Sequence, residues 1–94
     1  MDEEISVEEI IRFVQQAREL AESQLPMLEG MVTRMVACRE QSVRGIEQLL
    51  DVLLDYQYLG LGTEAFHRLN RYYATLHPQY AAVYEQAAKE IGHD

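Results

Sequence analysis

Ninety-four residues, of which 48% are hydrophobic and 26% charged, suffice for one folded domain. A formal net charge of −8 argues against docking on nucleic-acid phosphates or on an anionic membrane, both of which need clustered Lys and Arg. One cysteine, Cys38, rules out an intramolecular disulfide and fits a reducing, cytoplasmic setting.

Met1 is followed by acids instead of a basic stretch, so no secretory leader is expected. No run of 18 apolar residues is present, so no membrane span is expected. The acids crowd the start. Residues 1–25 hold seven (Asp2, Glu3, Glu4, Glu8, Glu9, Glu19, Glu22) against Arg12 and Arg18. Acids near a helix start complement its dipole, so this asymmetry has a structural cause.

The expected domain spans residues 1–94, with residues 1–5 frayed. Ser6 and Glu9 form a Ser-x-x-Glu capping box, with Ile5 and Ile10 placed for a hydrophobic staple. Val7, Ile10, Ile11, Val14, Ala17 and Ala21 make one helical face, widened by Phe13 and Leu20. The first helix is read as residues 7–23. Pro26 lacks an amide donor and restricts Leu25, so the chain is expected to turn there and fold back antiparallel.

The second helix is expected to be the long one. Leu28, Met31, Val32, Met35 and Cys38 lead to a polar patch, residues 39–42, and then to the most apolar stretch, residues 45–59. There Ile46, Leu49, Leu50 and Leu53 follow the i, i+3, i+4, i+7 rule. No proline or glycine pair interrupts the patch, and Glu40 and Arg44 are spaced for an ion pair. The pattern therefore favours one helix over 27–59, about 50 Å long at 1.5 Å per residue. A break near Ser42–Gly45 is the alternative. Cys38 reads as a small buried hydrophobe.

Gly60-Leu61-Gly62 reads as a turn, with Gly60 suited to a left-handed helix end and Thr63 to the next cap. Ala65, Phe66, Leu69, Tyr72, Tyr73 and Leu76 form the third helical face. His77-Pro78 ends it. Pro78 opens a fourth helix, with Tyr80, Ala81, Val83, Tyr84, Ala87, Ala88 and Ile91 on its face and Gly92 as its stop. The fold class is all-α, an antiparallel bundle of about four helices with one long central helix. A helix that long in so small a chain leaves apolar stripes for a second subunit, so a homodimer is expected.

Two spacings on the third helix could carry chemistry. Glu64 and His67 form a Glu-x-x-His, which places a carboxylate and an imidazole on one face as in carboxylate-bridged metal bundles. Arg71 and His77 form an Arg-x5-His. This resembles the catalytic Arg-x(4–6)-His of HEPN-family ribonucleases, helical and dimeric proteins, though Tyr72 stands where that family usually has a polar residue. The resemblance implies a ribonuclease site at Arg71 and His77. The bland alternatives are a surface pair in the first turn for Glu64 and His67, and a helix C-terminus for His77.

Six tyrosines lie in the last 39 residues, and Met27, Met31 and Met35 recur every fourth residue. Both patterns suit either a core edge or a contact surface. The expected function is a non-catalytic, acidic protein-interaction module, with contacts through Met27, Met31, Met35, Tyr72, Tyr80 and Tyr84. No cofactor is expected. The alternative is a metal-binding or ribonuclease-like site at Glu64, His67, Arg71 and His77.

Overall fold

The computed structural model describes residues 6–91. The expectations for residues 1–5 and for Gly92 lie outside that range. Four helices follow in order: α1 (Val7–Ala37), α2 (Val43–Gln57), α3 (Thr63–Leu76) and α4 (Pro78–Ile91). The fold is an all-α bundle. α2 and α3 pack against each other at its centre, with α1 and α4 each packed on both, and α1 does not touch α4.

The capping box forms as the sequence predicts. The Ser6 hydroxyl accepts from the Glu9 amide at 3.1 Å, and the Glu9 carboxylate accepts from the Ser6 amide at 3.0 Å. The helix it opens is the long one. α1 runs 31 residues straight through Pro26, where the sequence suggests a turn. Pro26 is exposed, whereas Leu28 and Val32 beyond it are buried. Burying those two stabilises the continued helix by about 3–5 kcal/mol, comparable to the ~3 kcal/mol cost of an interior proline.

The break falls instead in the polar patch, so the continuous helix over 27–59 is not formed. Arg39 adopts the left-handed conformation with φ of 58°. Its amide bonds the Val36 carbonyl at 3.3 Å, and the Glu40 amide bonds the Met35 carbonyl at 3.0 Å. That pair of bonds is a Schellman ending, with arginine in the position glycine usually fills. Ser42 then caps α2 by accepting from the Gly45 amide at 3.0 Å. Glu40 is spent on the loop, where its carboxylate accepts from the Ser42 amide. Cys38, expected inside, is exposed at the end of α1.

The core is the one expected of α2 and α3. Ile46, Leu49, Leu50 and Leu53 meet Phe66, Leu69 and Tyr73, and α1 adds Leu28 and Val32. Gly60 has φ of 76° and ends α2 as predicted, while Gly62, with φ of 77°, precedes α3 in place of a Thr63 cap. Side chains tie the helices together. Tyr56 donates to Gln24 at 3.0 Å. Arg68 donates to the Glu29 carbonyl at 3.2 Å and to the Thr33 hydroxyl at 2.9 Å. Asn70, buried between α3 and α4, donates to the Ala81 carbonyl at 3.0 Å.

The long helix gives the molecule its shape, 53 × 25 × 23 Å. Every residue from Ser6 to Leu20 is exposed, and Ala21 is the first buried one. The first half of α1 therefore projects beyond the body. Among the described residues its polar anchor is Arg18, which donates to the Leu59 carbonyl at the end of α2. None of the described helices is long and apolar enough to cross a membrane.

Candidate functional site

The third-helix residues do not converge. Glu64 and Arg71 are exposed and line a polar recess of about 390 Å³ between α1 and α3, together with Glu29, Thr33 and Arg68. His67 is turned to α4 instead, where its Nδ1 lies 3.8 Å from a Glu85 carboxylate oxygen. His77 stacks on Tyr80 with centroids 5.1 Å apart and meets Tyr73 edge-on at 5.8 Å. Arg71 and His77 thus have different neighbours, and His77 lines neither of the two recesses that Arg71 lines. Among the described residues no group of three or more His, Cys, Asp or Glu side chains is placed to hold a metal ion.

The tyrosines divide by depth. Tyr73 is fully buried and Tyr72 is 8% exposed, so Tyr72 is not part of an exterior surface. Its hydroxyl donates to the Glu40 carbonyl at 2.7 Å and holds the α1–α2 loop. Tyr73 donates to Glu47 at 2.5 Å, and Tyr84 donates to Asp51 at 2.7 Å. Burial first, and then the neighbouring carboxylate, push both phenols well above the usual tyrosine range. Each stays a neutral donor to a carboxylate at ordinary pH.

Tyr80 and Tyr84 rim an open groove of about 310 Å³ between α2 and α4, whose walls include Leu54, Val83, Glu47 and Asp51. Tyr80 and Val83 are exposed there. The groove has an apolar floor and two acids at its side, an arrangement suited to an apolar or basic side chain of another protein.

The methionines divide likewise. Met31 and Met35 are both half-buried against the core, and Met27 is 62% exposed. Met27 belongs to a larger feature that the sequence reading divided at Pro26. Val7, Ile10, Ile11, Phe13, Val14, Leu20 and Met27 are all large, apolar and exposed on the one continuous helix. At 3.6 residues per turn, Phe13, Leu20 and Met27 share one side of the helix, and Val7, Ile11 and Val14 lie on another. The signal was present in the spacing of these residues, but a helix stopped at residue 23 separates Phe13 and Leu20 from Met27.

No protein-family model, no curated protein sequence and no solved structure matches this chain.

Proposed function

We propose that this chain is a non-catalytic, acidic protein-interaction module that works in the cytoplasm as an adaptor, chaperone-like subunit or inhibitor of another protein, and that it forms a homodimer. The observation that carries this reading is the exposed apolar face of α1. A projecting helical half with apolar groups from Val7 to Leu20 is unsupported in water, where isolated helices of that length are marginal. Covering it with another polypeptide stabilises both the helix and the complex. The Tyr80–Tyr84 groove offers a second contact place on the opposite side of the α2–α3 pair. Of the four third-helix candidates, Glu64 and Arg71 share the α1–α3 recess, while His67 faces Glu85 and His77 stacks on Tyr80.

The test is a capture experiment with wild type and a Phe13→Glu, Leu20→Glu double variant. Both sites are exposed, so circular dichroism of the variant should match that of wild type at low concentration. A protein retained by wild type should, once purified, bind the variant roughly 100-fold more weakly, as for a lost interface centre. Equal affinity for both chains would overturn the role given to α1.

A further inference from the structure

We infer that the outer face of α1 pairs with the same face of a second copy of this chain, antiparallel, so that each free half lies on the partner's docked half. This rests on the interaction reading above and names one partner for it. The evidence begins with spacing. Ile10, Phe13, Ala17, Leu20, Gln24, Met27 and Met31 alternate three and four residues apart along one unbroken helix. That is the seam of a left-handed two-helix coil, with a period of 3.5. It runs beside the stripe that docks on the body, Ala21, Leu25, Leu28 and Val32, and touches the body at two places, where Met31 packs on the core and Gln24 accepts from Tyr56. Six of the seven seam residues are exposed, and Met31 is half-buried.

Area decides whether the seam needs a partner. Along the seam Ile10, Phe13, Leu20 and Met27 expose of the order of 500 Å², toward the upper end of the largest apolar patch on a typical monomer. A second copy supplies the same area by symmetry.

Charge and length decide the direction. Glu9 stands at the first end of the seam and Arg34 at the other, and both are exposed. Antiparallel pairing sets each Glu9 beside the partner's Arg34, and Phe13 beside the partner's Met31. Parallel pairing sets Glu9 on Glu9 and Arg34 on Arg34, with Glu8 beside them, and like charges face to face oppose association. Parallel pairing also leaves the two projecting halves covering only each other. In the antiparallel pair each lies on a segment already held by α2 and α3. One carboxylate oxygen of Glu9 is held by the Ser6 amide, and the other is open to a guanidinium.

Sedimentation equilibrium of the full chain should give twice the 10.9 kDa chain mass at tens of micromolar. Leu20→Glu should weaken self-association roughly 100-fold or more, as for a central contact. Direction is read by disulfide trapping in a Cys38→Ser background. Chains carrying Glu9→Cys should link to chains carrying Arg34→Cys and not to themselves. Arg34→Glu should weaken the pair, and adding Glu9→Arg to the same chain should restore it. A single-chain mass at every concentration, or Glu9→Cys chains that link to each other, would overturn the inference. If the mass is single and the double variant still loses a captured protein, the face serves another protein and only self-pairing fails. If the dimer forms and nothing else is captured, self-pairing stands and the adaptor reading fails.

Discussion

Arg39 is the residue on which the topology turns. Left-handed backbone costs a side-chain-bearing residue about 1–2 kcal/mol, because its Cβ crowds the following carbonyl. Arg39 accepts that cost to close α1 through the Val36 and Met35 carbonyls. Arg39→Gly is therefore expected to raise unfolding stability by about 1 kcal/mol, seen as a higher urea midpoint with an unchanged slope. The carboxylate-bonded phenols make a second residue-scale prediction. Tyr73 and Tyr84 hold their protons more tightly in the fold than the unfolded value of about 10. A raised folded pKa gives stability that is complete below pH ~10 and is lost as pH rises toward the folded value. Urea midpoints should thus be insensitive to these two groups from pH 7 to 9 and fall above pH ~10. Tyr73→Phe should flatten that fall while costing about 1 kcal/mol at neutral pH through its lost bond to Glu47.

At the level of the helices, Pro26 and the polar patch exchange roles relative to the sequence pattern. The capping box at Ser6–Glu9, the α2 stripe and the Gly60 ending were legible because each rests on local chemistry. The continuation through Pro26 was not, since it depends on Leu28 and Val32 finding α2 and α3, a contact made across the chain. The break at Arg39 was hidden because the left-handed position is filled by arginine, a residue that gives no turn signal. Ser42 with Gly45 was the one local cue. A serine before an apolar helical run can cap it, and Ser42 does so through the Gly45 amide. The exposed face followed from the same error, since its seven-residue repeat crosses Pro26. Pro26→Ala should restore an amide to the middle of α1 and raise the melting temperature. The gain is bounded by the ~3 kcal/mol propensity difference between the two residues. A drop in melting temperature would show that α1 needs the proline's geometry.

The whole molecule divides into a packed body and a projecting helical half, and substitutions should respect that division. Leu50 is fully buried among α2, α3 and α1, so Leu50→Ala should cost about 2–5 kcal/mol at any protein concentration. Phe13 is 72% exposed, so Phe13→Ala should change the stability of the dilute chain by less than about 0.5 kcal/mol. If two chains pair through it, its cost should grow with concentration, since association adds to apparent stability by mass action. Urea melts at two concentrations a hundredfold apart separate the two behaviours.

The absence of contact between α1 and α4 also bears on how the chain is made. Synthesis proceeds from the N-terminus at about 5–20 residues per second. α1 leaves the ribosome before the other three helices, yet the surface that receives its Leu28 and Val32 is completed only when α3 has followed. Consecutive α2, α3 and α4 meet through short connections and so can assemble quickly among themselves. Of the four helices, the one made earliest thus waits for α3 before it is housed. Glu8, Glu9, Arg12, Glu19 and Glu22 lie along it and keep a nascent segment with so many uncovered apolar groups hydrated until its berth exists.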